Sequence, residues 1–271
     1  MRKCILILGA FVLLIAAVGG CKSDPKYETL LVAGSTEMLP YTKALVKGLS
    51  KKRKNLLISY DGGGSTPGII ALRRKAIDVA AVSRLLTDDE DDAYTESFLI
   101  AKGCIAIIVH PDNPVQNMTK EQVYEIFDGH FRNWEAVGGN NAPIRLLTRK
   151  YGSYTRKAFQ KIAMSGGVVH DSALRVESGK EMADAVAEDP DAIGYLSLYD
   201  VAKAEDRVSL LSINWVRMDK YSILSGRYPF TRSFYYVLYH KPPDAAKAFL
   251  RFALSGEGQK AIEEMDAVRV R

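Results

Sequence analysis

The sequence LLVAGSTEMLPYTKALVKGL, residues 30–49, decides the fold class of this chain. Its apolar start, residues 30–33, predicts a β-strand, and the pattern over residues 41–49 predicts a helix. Gly34-Ser35-Thr36 lie between them. Glycine permits a tight turn, and serine or threonine commonly begins a helix. A strand, a short turn and a helix form the unit from which α/β folds with parallel sheets are built.

The same alternation of short apolar runs and helical patterns continues along the chain. We predict further strands at residues 56–60, 79–83, 104–109, 144–149, 193–196, 208–213 and 234–240. We predict further helices at residues 67–75, from near Thr87, and at 120–127, 155–164, 244–254 and 256–265. This alternation predicts an α/β fold whose sheet is mainly parallel, with helices on both faces.

The N-terminus has the pattern of a bacterial lipoprotein signal peptide over residues 1–20. Arg2 and Lys3 precede an apolar run over residues 5–18, and small residues lead to Cys21. We predict that the chain is exported and cleaved before Cys21. Residues 21–27 would then form a lipidated tether, with acyl chains such as palmitate on Cys21 holding the protein on the membrane. The alternative is a transmembrane anchor, but the run is shorter than the roughly 20 residues that a spanning helix needs. A lipid-anchored chain of this kind would have its folded domain outside the cytoplasm, in the periplasm or on the outer face of the cell membrane.

Charge and cysteine content exclude several classes of protein. Of 271 residues, 37 are Lys or Arg and 32 are Asp or Glu, and the formal net charge of +5 falls to +3 without Arg2 and Lys3. So mild an excess does not indicate nucleic-acid binding. Cys4 would leave with the signal and Cys21 would carry lipid, so we predict no disulfide framework within the mature chain.

Motifs of known enzymes are missing from the sequence. The four histidines are scattered and do not have the spacing of zinc ligands. No G-x-S-x-G nucleophile motif occurs. Residues 62–66, Gly-Gly-Gly-Ser-Thr, lack the lysine of a phosphate-binding P-loop. We therefore predict no catalytic residue, no metal and no cofactor.

Three segments instead share a pattern that suits a small anion. Each is a strand, a turn of glycine and hydroxyl residues, and a helix start: residues 33–36, 62–67 and 149–155. Such turns aim backbone N–H groups and hydroxyls at one point, where the helix dipole favours negative charge. Parallel α/β sheets bind ligands at this end of their strands. Arg149 adds a guanidinium able to bind a tetrahedral oxyanion through two donors.

At these residues the chain resembles the substrate-binding proteins of bacterial phosphate ABC importers, the Pst type. The resemblance runs from about Glu28 to the C-terminus. It includes the three turns, residues 79–84 at a strand end, residues 110–114, 126–129 with Asn133-Trp134, 190–195 and 254–259. Arg149 with Ser153 and Thr155 keeps the spacing of the family's Arg and Ser-Gly-Thr motif.

The resemblance implies a two-lobed clamshell, the type II periplasmic-binding fold, with two crossings between lobes. Lobe one would comprise residues 28–105 plus 230–271, and lobe two residues 106–229. It implies capture of inorganic phosphate in the cleft, closure by hinge motion and delivery to ABC permease subunits, without covalent chemistry. We expect a monomer. The expected phosphate contacts are Ser35, Thr36, Gly64, Ser65, Ser83, Arg84, Arg149, Ser153 and Thr155.

Three positions depart from the family pattern. Some members have an aspartate at the strand end where this chain has Arg84, and that carboxylate accepts the proton of hydrogen phosphate and so rejects sulfate. Asp61 and Glu37 are the alternative acceptors by their proximity to the turns. Tyr154 replaces a glycine, and Glu37 replaces a small residue. The alternatives are therefore the same fold binding sulfate or molybdate, an adhesion or sensory lipoprotein without ligand, and an extracellular hydrolase.

Overall fold

The computed structural model describes residues 27–265 and 267–270. The predicted signal peptide, Cys21 and the tether up to residue 26 lie outside these residues. The strands are β1 Glu28–Gly34, β2 Leu56–Asp61, β3 Val79–Val82, β4 Thr95–Val109, β5 Asn117–Met118, β6 Arg145–Arg149, β7 Leu174–Val176, β8 Ala192–Ser197, β9 Ser209–Leu210, β10 Ser212–Ile213, β11 Thr231–Tyr239 and β12 Val268–Arg269. The α-helices are α1 Leu39–Lys52, α2 Ser65–Arg73, α3 Lys120–Phe127, α4 Tyr154–Ile162, α5 Gly179–Glu188, α6 Leu198–Ala204, α7 Lys220–Ser225, α8 Asp244–Ala253 and α9 Gly256–Glu263.

One curled sheet runs through the molecule in the order β2-β1-β3-β11-β4-β8-β6-β7. On one side, the first lobe, β2, β1 and β3 are parallel, and β11 is antiparallel to β3. On the other side, the second lobe, β6, β7 and β8 are parallel. The carboxyl ends of three parallel strands therefore meet in each lobe, which is where ligands of such sheets bind.

Strand β4 belongs to both lobes. Residues 95–104 pair antiparallel with β11, and Ile105 to Val109 pair antiparallel with β8. Short β12 and β9 also pair with β4, one on each side of the change of partner. The chain thus passes from one lobe to the other within a single continuous strand.

Each lobe has a hydrophobic core of its own. In the first lobe, α1 and α8 bury apolar side chains against β1 and β11, with Phe249 in edge contact with Tyr236. In the second lobe, Phe159 of α4 stacks on Tyr195 of β8 at 4.0 Å between ring centroids, and Phe127 meets both rings edge-on. Such aromatic pairs hold the helices that begin at the strand ends.

The structure confirms the predicted α/β alternation, with α3 at its predicted bounds and most other elements within a few residues. The helix predicted from near Thr87 is wrong. Residues 88–90 form a turn, and the Glu90 carboxylate accepts a hydrogen bond from the Thr87 N–H and binds Arg84. All five residues from 88 to 92 are acidic, and like charges on neighbouring turns would destabilise a helix here. Within the described residues, no helix is long and apolar enough to cross a membrane.

Candidate functional site

The three strand ends of the first lobe meet through a chain of serines. Ser35 follows β1 and its Oγ donates to Ser83 Oγ at 2.8 Å, while the Ser83 N–H donates to Ser65 Oγ at 3.2 Å. Ser35 and Ser83 are 5% and 4% exposed. The Gly64 N–H donates to the Gly34 carbonyl at 2.8 Å, which joins the first turn to the second. The sequence-predicted Ser35, Gly64, Ser65 and Ser83 are therefore brought together.

Two glycines make this close approach possible. Gly34 has φ +146°, and a Cβ there would lie 2.1 Å from the Ala81 carbonyl oxygen of β3. Gly64, at the N-cap of α2, has φ +110°, which L-residues rarely adopt. With Gly64 as cap, α2 has no side-chain cap bond, and Ser65 is its first residue. The positive end of the α2 dipole thus lies next to the serine cluster.

Thr36 begins a short 3₁₀ turn, residues 36–38, directly after Ser35. Ser35 Oγ accepts a hydrogen bond from the Glu37 N–H at 3.3 Å and so caps this turn. Thr36 is exposed beside the serine cluster, with its Oγ1 near Gly62 of the second turn.

Arg84, an expected anion contact, is held in an ion pair with Glu90. Its Nη1 and Nη2 donate to Glu90 Oε2 and Oε1 at 2.5 and 2.7 Å, and they also bind the Leu85 carbonyl and Thr66 Oγ1. Glu90 is 8% exposed, and the Arg84 guanidinium lowers the pKa of its carboxyl to about 2. The pair fixes the irregular turn after β3, and both Nη groups of Arg84 are already engaged.

The two candidate acceptors, Glu37 and Asp61, already have hydrogen-bond partners. Glu37 Oε2 accepts from Arg232 Nη1 of β11 at 2.7 Å, and its Oε1 lies 3.3 Å from Lys161 Nζ of α4. Glu37 therefore forms an ion pair with Lys161 across the lobes, and its carboxylate is not an open acceptor. Asp61 is exposed, and its Oδ1 accepts from the Gly62 N–H at 2.7 Å.

In the second lobe, Arg149 ends β6 and is held by buried groups. Its N–H donates to the Tyr195 hydroxyl at 3.2 Å, and its carbonyl accepts from Arg156 Nη1 at 2.8 Å. Burial raises the pKa of Tyr195, so its phenol stays neutral, and its oxygen also bonds Thr148 Oγ1 at 2.8 Å. Within the described chain, Arg149 Nη2 donates to the Glu177 carbonyl at 3.0 Å, and its Nε is buried without a hydrogen-bond partner.

A cavity of about 480 Å³ contains Arg149 together with Ser153 and Thr155. Ser153 is the N-cap of α4, and its Oγ accepts from the Arg156 N–H at 3.3 Å. Tyr154, the first residue of α4, is 56% exposed and also lines the groove that contains Leu39 and Asp61 of the first lobe. Its side chain thus lies at the space between the lobes.

The same cavity has residues that the sequence reasoning missed: Ser178, Gly179, Ser197 and Asp200. Ser178 follows β7, and its Oγ accepts from the Glu181 N–H as the N-cap of α5. The strand, Ser-Gly turn and helix at residues 174–188 repeat the pattern of the three predicted turns. This signal was readable, and it adds a second helix N-terminus to the cavity. The described residues contain no group of three or more His, Cys, Asp or Glu placed to hold a metal ion.

Comparison with solved structures supports the two-lobed architecture. An ABC-type phosphate transport receptor from Vibrio cholerae is 28% identical, with a TM-score of 0.77 over 89% of this chain and 99% of that one. A putative phosphate ABC transporter substrate-binding protein from Clostridium perfringens, solved with bound phosphate, is 29% identical with a TM-score of 0.57. It covers 90% of this chain and 100% of its own. The predicted clamshell of the periplasmic-binding-protein type is confirmed.

Comparison of sequences points the same way. The phosphate-binding protein PstS of Borreliella burgdorferi is 26% identical over the full length of both chains. PstS of Bacillus subtilis is 26% identical over 95% of this chain and 89% of its own. These relatives are binding proteins, in agreement with the expectation of a binding protein rather than an enzyme. A family model described as the PBP superfamily domain matches residues 21–257, and the chain belongs to this superfamily, among relatives that bind phosphate.

Proposed function

We propose that this chain is a lipid-anchored, extracytoplasmic binding protein that captures inorganic phosphate between its lobes and delivers it to an ABC importer. The contacts that we assign to phosphate are Ser35, Thr36, Gly64, Ser65 and Ser83 of the first lobe and Arg149, Ser153 and Thr155 of the second. We leave Arg84 out of this set because its guanidinium is bound to Glu90. Arg84 instead positions the loop beside Ser83.

The observation that carries the proposal is the state of Arg149. Its backbone is fixed on both sides by Tyr195 and Arg156, its guanidinium Nε is buried without a hydrogen-bond partner, and the residue lines a cavity together with the start of α4. A fixed cation beside a helix N-terminus suits a doubly charged tetrahedral anion. Phosphate is the ligand named for the relatives, which supports this anion over others.

The change of partner along β4 supports the lobe boundaries that we propose, residues 28–105 plus 230–271 and residues 106–229. The pairing passes from β11 to β8 between Cys104 and Ile105. A hinge at this point would let the serine cluster and Arg149 approach the same anion from opposite sides. The Glu37–Lys161 contact joins the two lobes beside the cleft.

The N-terminal sequence supports the anchor. Cys21 follows a signal-like segment, and β1 begins at Glu28, so only six residues lie between the lipid site and the first strand. Two or more acyl chains give stable membrane anchoring. Such a short tether would keep the binding protein at high local concentration near its permease.

Calorimetric titration of phosphate into the full chain in detergent micelles tests the proposal. We expect saturable binding at micromolar phosphate, and a loss of about 10- to 100-fold in affinity for Arg149→Ala, because each charge-assisted hydrogen bond contributes roughly 1.5–3 kcal/mol. Arg74→Ala is the matched control, because Arg74 is exposed after α2 and its side chain has no carboxylate partner in the described chain. Absence of phosphate binding by the unmodified chain would refute the function, and binding of sulfate or molybdate instead would identify another oxyanion.

A further inference from the structure

One carboxylate lines the cavity that contains Arg149, Ser153 and Thr155: that of Asp200, the third residue of α6. Ser197 Oγ donates to Asp200 Oδ2 at 2.8 Å, and the Asp200 N–H donates back to Ser197 Oγ at 3.3 Å. Ser197 is buried at the end of β8. The carboxylate is therefore held in place by a group that leaves most of its acceptor capacity unused.

The backbone of α5 is shaped around this carboxylate. Gly179 is the first residue of α5, and a Cβ added to it would lie 2.0 Å from Asp200 Cγ and 2.1 and 2.3 Å from the two carboxylate oxygens. The Asp200 carboxylate therefore packs directly against Gly179, where any other residue would place a Cβ, at the positive end of the α5 dipole. The carboxylate thus packs against the backbone at the start of α5 and is only partly exposed.

The other carboxylates around the cleft are engaged or exposed. Glu90 is bound by Arg84, and Glu37 by Arg232 and Lys161. Asp61 is exposed, and its Oδ1 is bound by the N–H of Gly62. In the described chain, Asp200 is the carboxylate that shares a cavity with the proposed anion contacts of the second lobe.

Hydrogen phosphate carries a proton at neutral pH, and fully ionised sulfate carries none. A fixed carboxylate accepts a hydrogen bond from the proton of hydrogen phosphate. It repels sulfate, whose oxygens carry only lone pairs and have no proton to donate. We propose that Asp200 is the residue that makes this site select protonated oxyanions over sulfate, in place of a carboxylate at the position of Arg84. This inference rests on the proposed function, and it moves the discriminating acceptor from the first lobe to the second.

Three variants test the assignment in the full chain. Asp200→Asn keeps the shape and removes the charge. Gly179→Ala keeps Asp200 but fills the space where its carboxylate lies, and the neighbour that must move is the end of a flexible side chain. Asp61→Asn is the matched control, with the same chemical change at a carboxylate outside this cavity. The readout is the ratio of sulfate to phosphate dissociation constants, from calorimetric competition at pH 7.

For Asp200→Asn we expect this ratio to fall at least tenfold, because the loss of one charge-assisted hydrogen bond exceeds the energy of a tenfold change. Gly179→Ala should shift the ratio in the same direction, and Asp61→Asn should leave it unchanged. If Asp200→Asn fails to fold, by circular dichroism, Gly179→Ala decides. A ratio that does not change in the folded Asp200→Asn variant overturns the inference, while phosphate binding by the unmodified chain leaves the proposed function intact.

Discussion

Replacement of Gly34 by alanine tests how the serine cluster is built. A Cβ at this position would lie 2.1 Å from the Ala81 carbonyl oxygen, and ordinary contacts begin near 3.4 Å. The same carbonyl accepts the Ser35 N–H at 2.7 Å. Strands β1 and β3 must therefore separate by about 1 Å, with disturbance of the bond that orients Ser35.

The matched control is Gly63→Ala. Gly63 has φ +148°, nearly the same as the +146° of Gly34, but nothing lies within 4 Å of its added Cβ. Both variants incur backbone strain on the order of 1–3 kcal/mol. The Gly34 variant adds overpacking of about 1–3 kcal/mol. Weakening of one backbone hydrogen bond adds about 1 kcal/mol. The difference between the two variants should therefore be about 2–4 kcal/mol.

Urea unfolding followed by circular dichroism measures this difference. With a slope of about 2–3 kcal/mol per molar urea, the midpoint for Gly34→Ala should be about 1 M below that for Gly63→Ala. Equal midpoints would show that β1 and β3 tolerate the added methyl group, and would refute the argument that their close approach requires glycine.

The remaining predictions concern the ion pairs at the cleft. Glu37→Gln should weaken phosphate binding severalfold at low salt and much less at high salt, because it removes the ion pair with Lys161 between the lobes. Calorimetry at two NaCl concentrations measures this, and a loss of affinity that does not depend on salt would contradict it. Glu90→Gln should destabilise the fold by about 2 kcal/mol at pH 7. Because the folded pKa of Glu90 lies below its ordinary 4.5, at about 2, its stabilisation is complete above pH 4.5 and is lost as pH falls towards 2. Urea midpoints of the two proteins should converge over this range, and a constant gap would refute the role of the charge.

Local sequence signals were sufficient where strand, turn and helix are contiguous. The turns at Ser35, Ser65 and Ser153 were predicted because glycine, hydroxyl residues and a helix start are neighbours in the chain. The parallel sheet then brings the ends of β1, β2 and β3 together without further information. Ser178 has the same signal and was missed only because β7 is a short strand of three residues.

Pairings over long range account for what the sequence did not reveal. Glu90, the partner of Arg84, lies in an acidic segment for which the sequence pattern predicts a helix. The turn that forms instead depends on the Arg84–Glu90 ion pair, which the local sequence does not reveal. The position of Asp200 depends on how closely α5 and α6 pack, which Gly179 decides through the absence of a side chain. The first half of β4 has mixed polarity and becomes a strand because β11, far along the chain, pairs with it.

The long strand β4 also limits how proteins of this architecture can be recombined. Its 15 residues give both lobes a common member, so one of the two crossings between the lobes lies inside a strand and not at a linker. A fragment that kept all of β4 with only one lobe would expose unpaired N–H and C=O groups along half of β4, an edge prone to association with other chains. Exchange of one lobe for that of a relative must therefore preserve the register of β4 with β11 on one side and β8 on the other, and one of its two junctions falls within the strand.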